Sequence, residues 1–64
     1  MNFTEGQRVR HKKNGLGTVR RAGMNQTILV PTVSVQFDSG QWMSFVDTDQ
    51  PFFNRFDELE VTES

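Results

Sequence analysis

Six of the seven Lys and Arg residues, the only His and three of the five Gly residues fall within GQRVRHKKNGLGTVRR, Gly6 to Arg21. Arg8, Arg10, Lys12, Lys13, Arg20 and Arg21 are the candidate nucleic-acid-binding residues. Cations on one stripe contact phosphates irrespective of base sequence, and such binding weakens with salt. Alternation along an extended strand puts Arg8, Arg10 and Lys12 on one face, with Val9 and His11 on the other. The competing reading is an ordinary solvated face, and the acidic isoelectric point of about 5.6 argues against a dedicated nucleic-acid binder.

A second group of chemistry-bearing residues is aromatic. Trp42, Phe45, Phe52, Phe53 and Phe56 lie within fifteen positions. Exposed rings in a groove take a peptide, a stacked base or a methylated cation, whereas buried rings are core. Trp42, Phe45, Phe52 and Phe53 are the candidate partner-binding residues. Adjacent Phe52 and Phe53 do not both point inward easily, so at least one is expected at the surface. The absence of Tyr weighs against a methyl-lysine cage.

Other groupings point away from catalysis and metals. His11 has no Ser, Cys or carboxylate placed beside it by sequence, so a structural His at a barrel rim is expected. Asp47, Asp49 and Glu58 stand at EF-hand spacing, but Phe52 occupies the position that requires Gly and Pro51 precedes it, which excludes a calcium loop. Gly15-Leu16-Gly17 lacks the third Gly and the βαβ context of a dinucleotide site. With no Cys and one His, neither disulfides nor a conventional zinc site is expected. No cofactor is expected.

These groups must be held by a very small scaffold. Sixty-four residues make one domain, expected ordered from about residue 6 to 61, with a thin core. A homodimer is compatible with that thin core and the surplus of aromatics. Short strand-like runs separated by turn signals give an all-β pattern. Expected strands are Gln7–Lys12, Gly17–Ala22, Thr32–Phe37, Gln41–Val46 and Glu58–Val61, the last with Leu59 and Val61 inward. Val33, Val35 and Phe37 alternate with Ser34 and Gln36, the period of a half-buried strand. Asp38-Ser39-Gly40 is a hairpin turn. Gly23–Thr27 reads as a polar loop, and Ile28–Pro31 as either a short strand or a contact surface. A single helical turn is expected around Phe52–Phe56, before the last strand.

Charge is segregated along the chain. Residues 1–32 carry six basic and one acidic side chain, and residues 33–64 carry one basic and seven acidic. The surface is dipolar unless the strands intermix the halves. No basic leader with an apolar run opens the chain, and no run approaches the ~20 apolar residues of a membrane helix. A cytoplasmic, membrane-free protein is expected. The glycosylation sequons at Asn2 and Asn25 are read as coincidence.

GQRVRHKKNGLGTV, then VSVQFDSG and FDELEV, resembles the pattern G-x-x-V-x-H-x-x-x-G-x-G-x-V … V-x-F-x-x-G … L. This is the pattern of the Tudor-like, SH3-like module at the C-terminus of UvrD/PcrA-type DNA helicases. RNA-polymerase-interacting modules of the CarD and transcription-repair coupling type are similar more loosely. The shared positions are Gly6, Val9, His11, Gly15, Gly17, Val19, Val35, Phe37, Gly40 and Leu59. The insert between Arg21 and Val33 and the aromatic segment DTDQPFFNRFD depart from the pattern. The resemblance implies a small five-stranded SH3-like barrel with a short 3-10 turn before the last strand. It also implies non-catalytic docking onto a protein of the transcription or nucleic-acid-processing machinery, RNA polymerase first among them. Direct, weak nucleic-acid binding through the basic hairpin is the alternative. A further likeness, of GQRVRHKKNG and VSVQF, is to the plasmid-borne trimethoprim-resistant dihydrofolate reductase, an SH3-like barrel with a V-Q-I-Y pore motif. Val35 and Gln36 match that motif; Phe37 and Asp38 do not, and Asp38 puts a carboxylate where the pore needs an aromatic hydroxyl.

Overall fold

The computed structural model describes residues 3–27 and 29–62, the side chain of Asn25 excepted. Asn2 and Ile28, named above, lie outside the described residues. The chain forms strands β1 (Arg8–His11), β2 (Gly15–Asn25), β3 (Val30–Phe37), β4 (Trp42–Val46) and β5 (Leu59–Val61), with a 3-10 turn at Phe56–Glu58 just before β5. All pairings are antiparallel, and the order across the single sheet is β4-β3-β2-β1-β5. The first four strands therefore form a meander, and β5 returns to pair with β1. An isolated parallel bridge between Val46 and Arg55 ties the β4 edge to the segment leading into β5. The sheet curls accordingly into the small barrel-like form expected from the sequence.

Alternation decides which side chains enter the core. Val9, Val19, Val33, Val35, Phe37 and Phe45 all take inward positions and are buried, joined by Phe56 and Leu59 from the last turn and strand. Phe37 and Phe45 meet edge to face, their ring centroids 6.3 Å apart, the arrangement favoured by the aromatic quadrupole. Phe3 lies outside the segment expected to be ordered, yet it is buried and stands edge-on to Phe56 at 5.0 Å. It closes the open end of a core that a short chain would otherwise leave exposed to water.

Several boundaries differ from the sequence reading. Gly23–Asn25 continue β2 instead of opening a loop, because Gly23, Met24 and Asn25 pair with Thr32, Pro31 and Val30. Val30 and Pro31 are thus strand residues, and the carbonyl of Pro31 accepts the N–H of Asp47 at 2.9 Å. Ladder pairing with a β-branched partner overrides the turn-like composition of GMN. The helical turn sits at Phe56–Glu58, not at Phe52–Phe56. Val61, expected inward, is 37% exposed because β5 is an edge strand near its end. Among the described residues no helix is long and apolar enough to cross a membrane.

Candidate functional site

The outer face of the sheet collects the polar chemistry. Register places Arg8 opposite Thr18, Thr18 opposite Gln36 and Gln36 opposite Trp42, a row across β1, β2, β3 and β4. With strands ~4.8 Å apart, that row spans about 14 Å. Arg10 stands beside it, opposite Leu16 on one side and Glu60 on the other. The β2–β3 register shifts between Val19 and Arg21. Such a bulge sets two residues against one partner, here Arg20 and Arg21 against Ser34. Arg20 donates from Nε to Gln36 Oε1 at 3.0 Å, so both arginines belong to the outer face. The structure thus brings Arg8, Arg10, Arg20 and Arg21 onto one face with Trp42. Lys12 and Lys13 are not part of it. β1 ends at His11, and both lysines lie in the exposed turn that follows.

Arg8 is already engaged. Its guanidinium forks onto Asp38, Nη1 to Oδ1 at 2.9 Å and Nη2 to Oδ2 at 2.8 Å, and Nη1 also donates to Thr18 Oγ1 at 2.8 Å. These hydrogen bonds hold the Asp38 carboxyl below its ordinary value and raise that of Arg8. The pair crosses the two oppositely charged halves of the chain, so the strands intermix part of the charge. Arg10, Arg20 and Arg21 make no ion pair among the described residues. The acidic side chains Asp47, Asp49 and Asp57 instead gather around a separate open cleft at Phe56. Among the described residues no group of three or more His, Asp or Glu could hold a metal ion.

The aromatic candidates divide. Trp42 is 55%, Phe52 85% and Phe53 41% exposed. Phe45 is corrected to core: it is fully buried, with the His11 ring 5.4 Å away, and cannot meet a partner. Both Phe45 and Met43 point inward from β4, so Trp42 is the aromatic on the outward side. Phe52 and Phe53 occupy the turn that runs beside β4. There Val46 N–H donates to Asn54 O at 2.8 Å, and Asn54 Nδ2 donates to Ser44 O at 3.4 Å.

His11 is a clamp. Its Nδ1 accepts from the backbone N–H of Lys13 at 3.2 Å and of Asn14 at 3.3 Å, and from Asn14 Nδ2 at 3.1 Å. With Nδ1 accepting, the proton sits on Nε2, which donates to Glu58 Oε1 at 3.1 Å. The other Glu58 oxygen accepts the Arg55 N–H at 2.7 Å. That backbone hydrogen bond, then the one from His11, holds the Glu58 carboxyl below its ordinary value. His11 therefore ties the β1–β2 turn to the 3-10 turn, and both its nitrogens are occupied within the protein.

Sequence reasoning found the arginines and Trp42 but not their juxtaposition, nor Gln36 and Asp38 as their partners. The Asp38–Gly40 turn carried the signal, since it fixes Gln36 opposite Trp42. Comparison of the chain with family models, curated proteins and solved structures returns no match.

Proposed function

We propose that this domain is a non-catalytic binding module that docks onto a protein of the transcription or nucleic-acid-processing machinery, with RNA polymerase the leading candidate. The observation that carries the docking reading is the exposure of Phe52, 85%, beside Phe53 at 41% on a turn held against the β4 edge. A short domain with a thin core gains most by burying such rings, and two of them on a turn are unsatisfied in the free molecule. Aromatic anchors of this kind dominate protein–protein affinity. Trp42, at the other end of the same edge strand, enlarges the apolar contact. The neighbouring charges steer encounter. The choice of polymerase rests on the resemblance of the GQRVRHKKNGLGTV and VSVQFDSG segments to polymerase-docking modules.

The test is direct binding of the purified domain to purified bacterial RNA polymerase, nuclease-treated, by biolayer interferometry. The wild type is compared with a Phe52→Ala, Phe53→Ala double variant. Loss of at least tenfold in affinity, with the fold retained by circular dichroism, is expected. Equal binding by both proteins rules out this surface, and no binding by either rules out this partner.

A further inference from the structure

We propose that the outer sheet face binds single-stranded nucleic acid, with Trp42 as a stacking platform for a base and Arg10, Arg20 and Arg21 as phosphate contacts. This goes beyond the docking reading and does not depend on it: the two share only Trp42, and Phe52 and Phe53 take no part here.

Three observations converge on this ligand. Charge comes first. Four arginines share the face with Asp38 and Glu60, and Asp38 is consumed by Arg8 in a bidentate pair. Glu60 stands opposite Arg10 without forming an ion pair with it, so the face keeps a cationic excess of two, and Arg10, Arg20 and Arg21 make no ion pair among the described residues. An anionic ligand is complementary to that excess. Second is the ring. Trp42 is 55% exposed and lies in the same cross-strand row as Gln36 and Thr18. A planar aromatic stacks on any unpaired base, because every base has a π-face, whereas a duplex keeps those faces covered. Third is the spacing. Gln36 links the two parts, paired across to Trp42 and accepting from Arg20 Nε at 3.0 Å. Ser34 and Ser44, which approach at 3.5 Å, are the small side chains of the neighbouring row, opposite Arg21. A strand crossing the sheet thus meets a base platform at β4 and cations at β2 and β1, over about 14 Å. A simple polyanion satisfies the arginines alone and leaves Trp42 without a role, which separates it from a nucleic-acid strand.

The experiment is fluorescence anisotropy with labelled dT20, U20 and a 20-bp duplex, together with competition by heparin. Trp42→Ala is expected to weaken dT20 or U20 binding roughly 5- to 150-fold, with little change in heparin affinity. The dT20 and U20 arms distinguish DNA from RNA. Three arginine contacts give a slope of log K against log[salt] of about −2, and Arg10→Gln with Arg21→Gln reduces it to about −0.7. Asp38→Asn frees Arg8 and is expected to strengthen binding and steepen the slope to about −2.8. Circular dichroism confirms that each variant is folded. Absence of binding to both single strands at low salt overturns the proposal. So does a Trp42→Ala variant that binds them unchanged, or a duplex bound more tightly than either. Retention of oligonucleotide binding by the Phe52→Ala, Phe53→Ala variant separates this face from the Phe52–Phe53 turn on which the docking reading rests.

Discussion

Replacing Gly17 by Ala tests the packing that sets the whole sheet in register. Gly17 sits between Val9 and Phe37 in the ladder. A Cβ placed on it would lie 2.7 Å from Val35 Cγ1, 2.8 Å from Phe37 Cδ1 and 3.1 Å from the Gln36 carbonyl oxygen. Val35 and Phe37 are 0% and 1% exposed, so neither side chain can retreat into solvent, and the carbonyl belongs to the β3 backbone. Overpacking a filled core costs ~1–3 kcal/mol. Stiffening the unfolded chain by Gly→Ala returns ~0.4–1 kcal/mol. Three crowded atoms, one of them backbone, put the net loss near ~2 kcal/mol, or roughly 8–16 °C in Tm for a domain of this size. Two companions sharpen the test. Gly15 has φ +79° with open space around it, so Gly15→Ala pays backbone strain alone, ~1–2 kcal/mol. Gly23 has neither crowding nor positive φ, so Gly23→Ala is expected to be neutral or stabilising by up to ~1 kcal/mol. Thermal and urea unfolding by circular dichroism rank the three. Should Gly17→Ala match Gly23→Ala in stability, the close approach of β2 to β3 at Gly17 is refuted.

Acid stability should follow Glu58. Its folded carboxyl is lowered, chiefly by the Arg55 N–H, so its contribution is complete above its unfolded value of about 4.3 and is lost as pH falls through the lower folded value. Glu58→Gln is expected to flatten the acid limb of the urea midpoint against pH, and an unchanged limb would remove this carboxylate from the account. Phe3→Ala should cost ~3 kcal/mol by leaving Phe56 without its edge-on neighbour, measured by urea unfolding. A loss below ~0.5 kcal/mol would mean that the N-terminal segment does not close the core.

Much of the fold is legible in the sequence because period-two alternation is local. Val33, Val35 and Phe37 announce β3, and Asp38-Ser39-Gly40 announces the turn into β4. The extension of β2 to Asn25 is not legible. GMN has the composition of a loop, and its strand geometry comes from partners at Val30–Thr32. Phe3 escapes for the same reason: nothing nearby in the chain says that Phe56, fifty-three positions away, will stand against it.

The candidate site divides along the same line. Residue types alone marked the arginines as anion contacts and the rings as candidates for exposure. On β4, Met43 and Phe45 alternate with Trp42 and Val46, so the strand is apolar on both faces and alternation alone does not say which side is core. Burial settles that choice, sending Phe45 inward and leaving Trp42 outside. The two roles of glycine in the β1–β2 hairpin separate in the same way. Gly15 is required by the turn's positive φ, whereas Gly17 is required by the side chains of β3. The sequence by itself determined strand identity, the glycine hairpin turns at Gly15–Gly17 and Asp38–Gly40, and charge, all set by neighbours a few residues away. Only the tertiary structure decided the cross-strand row from Arg8 to Trp42, the Arg8–Asp38 pair and the His11–Glu58 clamp. Each joins residues that are distant in the chain, and sheet register and the curl of the barrel bring them within reach.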